Sequence, residues 1–142
     1  MAAYDDRNVF ARILRGELPS HRIYEDEAVI AIMDVMPQCD GHALVIPKAA
    51  SRNIFDIAPA DLAATMRVVQ KIARAAMDAF AADGVNVAQF NESAAGQTVF
   101  HTHVHVMPRK AGVPLRPHSG QMADADVVAS HAEAYRKALA RQ

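Results

Sequence analysis

The segment His101-Thr102-His103-Val104-His105-Val106-Met107, followed by Pro108, constrains the fold more than any other stretch of the chain. Successive side chains on a β-strand point to opposite faces, so this alternation predicts a strand over residues 101–107. Three imidazoles then share one face, about 6.6–6.8 Å apart from one to the next at the usual strand rise. Thr102, Val104 and Val106 take the other face, where β-branched side chains suit a packed sheet. An unperturbed imidazole titrates near pH ~6.5, so such a row is suited to moving protons, holding metal or attacking phosphorus. A single histidine on a strand is ordinarily a hydrogen-bonded structural residue. Three on one face would need three sets of partners if they had no task.

The flanking sequence supplies a sheet for this strand. Apolar runs over 22–25, 28–34 and 42–47 are separated by turn residues, and 85–90 alternates with period two. The first three runs follow one another without long crossovers, which predicts antiparallel pairing. Helices are predicted over 6–14, 59–80 and 124–139. In the long one, Leu62, Met66, Val69, Ala73, Ala76 and Phe80 form a single stripe, Pro59 suits the first turn, and Gly84 is placed to cap the end. The last helix should bury Val128, Ala132, Tyr135 and Leu139. Residues 109–121, rich in glycine, proline and basic side chains, predict an irregular, mobile loop. The expectation is one α+β domain spanning 1–142, with its core over about 8–109 and a loop plus C-terminal helix over 110–142.

Composition excludes several classes of function. The formal charge is −1 over 142 residues, so there is no positive field to attract nucleic acid. No run approaches the ~18 apolar residues of a membrane span. Residues 1–10 carry Asp5, Asp6 and Arg7 and lack the apolar core of a secretory signal. Cys39 is the only cysteine, which rules out an internal disulfide and a cysteine zinc cluster. With neither a basic neighbour nor a second cysteine, it reads as a bystander. The expected setting is cytoplasmic, with no nucleic-acid or membrane partner.

Two chemistries fit the histidine row. In one, His-x-His supplies two zinc ligands and His42 a third, although no carboxylate base lies close in sequence. In the other, one neutral imidazole attacks a phosphoryl centre and water cleaves the labile phosphoramidate. That route needs donors for phosphate oxygens and a proton for the leaving group. The preceding loop offers Asn91, Ser93, Gln97 and Thr98, with Gly96 permitting close backbone approach. Glu92 is the one carboxylate among them, so the loop suits an anionic substrate better than a hard metal.

At this point the residues resemble a known family. His101-Thr102-His103-Val104-His105-Val106-Met107 is similar to the histidine-triad (HIT) signature, with Thr102 a mild departure from an apolar residue. Further blocks resemble the family in their usual order: Arg15-Gly16-Glu17-Leu18-Pro19, Ile23-Tyr24-Glu25-Asp26, His42-Ala43-Leu44-Val45-Ile46-Pro47-Lys48 and Gly96-Gln97-Thr98-Val99-Phe100. The resemblance implies a five-stranded antiparallel sheet with one long helix and a C-terminal helix, paired as a homodimer. It implies a nucleotide hydrolase that cleaves at the α-phosphate through a nucleotidyl-histidine, without a cofactor. His103 would be the nucleophile, His105 would contact phosphate oxygens, and His101 would orient the neighbouring imidazole. Thr98 would assist the leaving group, while Gln97 and Asn91 would hold phosphate. Asp34 would bind the ribose hydroxyls of a purine nucleotide between Ile32 and Val35, with His42 beside the triad.

Two departures from the family bear on the substrate. Relatives with a structural zinc carry cysteines where this chain has Asn8 and Ala11, and a histidine where it has Ala50, so that metal is not expected. The third triad position is His105, where the nucleotidyltransferase branch has glutamine, and this favours the hydrolases. The rivals to a phosphoramidase or dinucleoside polyphosphate hydrolase are a metal-dependent hydrolase and a nucleotide-binding regulator. His21, His118, His131, Lys48 and Arg109 are read as solvated or structural.

Overall fold

The structure, a computed structural model, describes residues 2–117 and 120–142; His118 lies outside them. The chain runs α1 (Val9–Leu14), β1 (Arg22–Glu25), β2 (Val29–Met33), β3 (Ala43–Pro47), α2 (Pro59–Ala79), β4 (Gly84–Ala88), a 3-10 turn (Ser93–Ala95), β5 (Val104–Arg109) and α3 (Ala125–Ala140). The five strands form one antiparallel sheet in the order β1-β2-β3-β5-β4. This is the α+β fold expected from the sequence. The central strands β2 and β3 are buried along their whole length, because the sheet is covered on both faces.

Alternation sorts each strand between two cores. Val29, Ala31, Met33, Ala43, Val45, Val104 and Val106 meet α2 and α3 on one face. Ile30, Ile32, Leu44 and Ile46 meet Phe10 and Ile13 of α1 on the other. Fully burying a large aliphatic side chain contributes about 1.5–3 kcal/mol, so the register of β2 and β3 is strongly specified. The face turned toward α1 is less completely filled, and there the sheet borders a cavity of about 450 Å³.

Several expectations are corrected. The histidine strand begins at Val104, not at residue 101, and continues through Pro108 to Arg109. The ladder with β3 ends at Val45 opposite Val104, and Thr102 then donates its N–H to the Ser51 carbonyl at 2.9 Å, drawing the chain out of the sheet. Pro108 is tolerated because β3 pairs only as far as Val106, leaving Pro108 with β4 alone. In α2 the buried stripe is Thr65, Val68, Val69, Ile72, Ala75 and Ala76; Met66 is exposed, and Leu62, Ala73 and Phe80 are only half-buried. The residues that best fill the space against the sheet are small or β-branched, so the largest apolar side chains misplace the stripe. Ala81, at φ 47°, takes the left-handed turn assigned to Gly84, which instead opens β4. In α3, Ala138 is buried in the place assigned to Leu139, which packs only partly.

The described part of the 109–121 loop is irregular but tied down. Arg116 N–H donates to the Gln38 carbonyl at 2.6 Å, and Ala123 N–H donates to the Val35 carbonyl at 3.0 Å. It therefore crosses the β2–β3 turn as a strap. Among the described residues, no helix is long and apolar enough to cross a membrane.

Candidate active site

The cavity lies on the sheet face shared by β2, β3 and β5 and is closed by α1. Ile32, Asp34 and Val35 come from the end of β2, Leu44 from β3, Thr98 from the loop after the 3-10 turn, and His103 and His105 from β5 and its approach. Val9, Phe10 and Ile13 of α1 form the opposite wall, and Met122 reaches it from the strap. A volume of about 450 Å³ falls within the range of small-molecule sites, and so does the composition of an apolar lining with a few convergent polar groups.

The three histidines are not equivalent. His103 and His105 line the cavity with ring centroids 5.1 Å apart, whereas His101 does not. The His101 ring instead receives the Tyr4 hydroxyl at Nδ1 (2.6 Å) and donates from Nε2 to the Pro47 carbonyl (2.8 Å). Burial lowers its pKa from the ordinary imidazole value, and the Pro47 carbonyl only partly opposes that, so the ring is neutral at pH 7. Its orienting role runs through the main chain: the His101 carbonyl accepts from His103 Nδ1 at 2.7 Å. A carbonyl can only accept, so the His103 proton sits on Nδ1 and the lone pair on Nε2, the form a nucleophile needs. Phe10 packs edge-on against this ring at 4.8 Å.

A second chain of contacts fixes His105. The Gln38 backbone N–H donates to His42 Nδ1 at 3.0 Å, so His42 carries its proton on Nε2. That nitrogen lies 2.9 Å from His105 Nδ1, which therefore accepts, and the His105 proton is left on Nε2. A ring N–H of this kind is a donor suited to a phosphate oxygen. His42 is wholly buried and does not line the cavity; it acts on the site through His105. Asp34 accepts the Met36 N–H at 2.8 Å through Oδ1, while Oδ2 stays 3.6 Å from His42 Nε2.

Two of the donors assigned to phosphate are committed elsewhere. The buried Gln97 amide accepts from Asn53 Nδ2 and the Glu92 N–H, and donates to the carbonyls of Arg52 and Val99. Those four bonds saturate it, so in this structure Gln97 is a brace and not a phosphate donor. Asn91 pairs with the Gln89 side chain and accepts the Ile54 N–H; it too lies outside the cavity lining. Both belong to a network linking residues 51–54 to the 91–98 loop. At its centre the Arg52 guanidinium clasps Glu92 at 2.8 and 2.9 Å and holds that carboxyl at a pKa of about 2. Glu92 sits at φ 74°, a strained backbone for a residue with a Cβ, and this clasp keeps it there. Reading the sequence missed Arg52, Asn53 and the cavity role of Phe10, because Glu92 lies 40 and 39 residues from the first two and His103 lies 93 residues from Phe10.

The donor set also bears on metal. A zinc ion on His101 and His103 is not supported, since the His101 ring is spent on Tyr4 and Pro47. Among the described residues, Asp34, His42 and His105 bring ligand atoms within 4.8 Å of one another. Metal on His42 Nε2 would put the ring proton on Nδ1, against the Gln38 N–H, so the group fits a proton-bearing histidine pair better. At the structural-zinc positions, Asn8 caps α1 by accepting the Ala11 N–H, and Ala11 offers only a methyl group. Cys39 is half-buried, and burial raises its thiol to about 11, which leaves it unreactive.

Comparison with known proteins gives a consistent picture. The HIT domain family model matches residues 15–112. An uncharacterised HIT-like protein of Mycobacterium tuberculosis is 43% identical over 114 residues, covering 80% of this chain and 79% of that one. The adenylylsulfatase HINT3 of Arabidopsis thaliana is 39% identical over 78% of this chain and 59% of its own length. A crystal structure of a Hit-like protein from Bartonella henselae, described as involved in cell-cycle regulation and holding an unknown ligand, superposes with a TM-score of 0.93. It is 47% identical and covers 96% of this chain and 99% of that one.

Proposed function

The chain belongs to the HIT family, and from that premise we propose that it hydrolyses a purine nucleotide at the α-phosphate through a nucleotidyl-His103 intermediate. The observation that carries this reading is the pair of opposed tautomers in one cavity. His103 presents a lone pair on Nε2, and His105 presents a proton on Nε2. Attack by His103 Nε2 forms the N–P bond as the bond to the leaving group breaks. Thr98 lines the cavity, and its hydroxyl would give a proton to that group and recover one from the water that attacks in the second step. Water then attacks phosphorus, the N–P bond breaks, and the mononucleotide leaves. His105 donates to the phosphoryl oxygens throughout, stabilising the charge that gathers there.

The rest of the lining supports a nucleotide. Asp34 offers a carboxylate for ribose hydroxyls, and such charge-assisted bonds are strong. Ile32, Val35 and Phe10 give apolar walls for a purine. One relative is named an adenylylsulfatase, which supports a substrate class of phosphoramidates, adenylates and dinucleoside polyphosphates for this chain. The reading includes a homodimer: β4 is an edge strand with Val87 47% exposed, open to pairing with a second copy.

The test is turnover of adenosine phosphoramidate, adenylyl sulfate and a dinucleoside polyphosphate by the protein and by His103→Ala, with AMP binding measured alongside. Hydrolysis of at least one compound, lost in the variant while AMP still binds, supports the reading. Tight AMP binding with negligible turnover of all three would make the protein a nucleotide-binding regulator instead.

A further inference from the structure

The tautomer of His105 traces back through His42 to the backbone N–H of Gln38, and the segment carrying that N–H is held from outside. Gln38 lies in the turn between β2 and β3, where Gly41 at φ 83° lets the chain reverse into His42. Later parts of this turn are tied to the core: His42 N–H donates to the Cys39 carbonyl, and the buried Tyr135 hydroxyl donates to the Gly41 carbonyl at 2.5 Å. Phe80 packs where a Cβ on Gly41 would stand. Among the described residues, the carbonyls of the earlier part, at Pro37 and Gln38, take no hydrogen bond from the sheet.

It is anchored by Arg116. Its N–H meets the Gln38 carbonyl at 2.6 Å, and its carbonyl accepts Gln38 Nε2 at 3.3 Å. Its guanidinium reaches the Pro37 carbonyl at 3.4 Å and Asp40 at 3.3 Å. Among the described residues, the hydrogen bonds given to the Pro37 and Gln38 carbonyls both come from Arg116. Among the described residues, every hydrogen bond of Arg116 goes to this one turn. The side-chain part is weak, because both Arg116 and Asp40 are more than half exposed and such pairs contribute little. The main-chain bond is the short one.

We propose that Arg116 is a positioning residue for the His42–His105 pair: its main-chain N–H seats the 37–38 segment so that Gln38 donates to His42 Nδ1 and thereby sets the proton on His105 Nε2. With that seat lost, the Gln38 N–H leaves Nδ1, and His42 is no longer confined to the Nε2-protonated form. His105 then presents to phosphate either a proton or a lone pair, and the lone pair repels the phosphate oxygens. The inference about catalysis rests on the function proposed above; the inference about tautomers does not.

The experiment uses Arg116→Pro, which deletes the N–H and the side chain together, beside Arg116→Ala, which deletes the side chain alone. Residue 116 already precedes Pro117 in an irregular segment, so proline suits the local backbone. The 15N signals of the histidine rings distinguish a protonated from an unprotonated nitrogen, and they read the tautomers without any substrate. Circular dichroism and melting temperature establish that both variants are folded. Expected is a His42 ring with unprotonated Nδ1 and protonated Nε2 in the parent and in Arg116→Ala, and averaged or exchanged ring nitrogens in Arg116→Pro. Where turnover is measurable, kcat falls about 10- to 100-fold in Arg116→Pro against two- to threefold in Arg116→Ala, with KM less affected. A folded Arg116→Pro that keeps the parental His42 and His105 tautomers overturns the proposal. Altered tautomers in a protein that turns over no nucleotide would uphold it while removing the proposed reaction.

Discussion

His101 and His103 stand two residues apart, yet they belong to regions that use polar groups in opposite ways. At His103 and His105 the main chain and His42 occupy one nitrogen of each ring and so dictate what the other nitrogen carries toward the cavity. Between residues 91 and 101 it is Glu92, Gln97 and His101 that spend their polar groups inward: Gln97 on four protein partners, Glu92 on Arg52 and Asn53, His101 on Tyr4 and Pro47. The two regions have similar residue types. What separates them is where their partners lie, and that decides which side chains face the cavity with a nitrogen to offer and which keep a loop in place.

The sharpest way to break this comparison is to truncate one histidine from each region. His103→Ala should lower kcat by about 10³–10⁴-fold with AMP affinity changed less than about tenfold, a loss of the size seen when nucleophiles are removed. His101→Ala should act mainly on stability, and kcat per folded molecule should fall by no more than about tenfold. Steady-state kinetics corrected for the folded fraction separate the two. Equal losses of kcat would mean that both rings take part in the reaction.

Gln97 divides the regions by a different readout. Gln97→Ala strands buried partners and should destabilise the protein by about 2–3 kcal/mol in denaturant titrations. The dissociation constant for AMP should move less than about threefold. The reverse pattern, weak binding at full stability, would return Gln97 to the phosphate site. Asp34→Asn should raise KM by about tenfold with kcat nearly unchanged, as expected for a group that holds ribose in ground and transition states alike.

The smallest effect concerns pH. Burial lowers the His101 pKa in the folded state, so the unfolded chain takes up that proton first as pH falls. The stability this contributes is therefore complete above the ordinary imidazole value of about 6.5 and drains away below it. The slope is at most about 1.4 kcal/mol per pH unit for one proton. Melting temperatures between pH 7.5 and 5 should show the decline, and it should be shallower in His101→Gln.

These contrasts also mark what could be read before the fold was known. The sheet, the helices, the histidine row and Thr98 in its polar loop follow from period and local motif, whereas Asp34, Ile32 and Val35 follow only from the resemblance to the family. The strand start at Val104 follows from neither, because it depends on where β3 stops pairing, a fact held by another segment. The stripe of α2 was misplaced for a related reason. Met66 is large and apolar, but the surface facing the sheet admits the smaller Thr65 and Val68. Gln97 and Asn91 look like donors in sequence and become braces only when residues 51–54 arrive from the other side of α2. The glycines and prolines of the strap predict a mobile loop, but bonds to Gln38 and Val35, about eighty residues away in the chain, tie its described part down.

The central claim is that His103, and no other ring, carries the nucleotide. Rapid acid-free quenching of the protein during turnover of adenosine phosphoramidate, followed by peptide mass spectrometry, tests it most directly. The account predicts an adenylyl adduct on the peptide carrying residues 101–105, assigned by fragmentation to His103 and absent from His103→Ala. An adduct on His105 or His101, or turnover in His103→Ala at the parental rate, would contradict it.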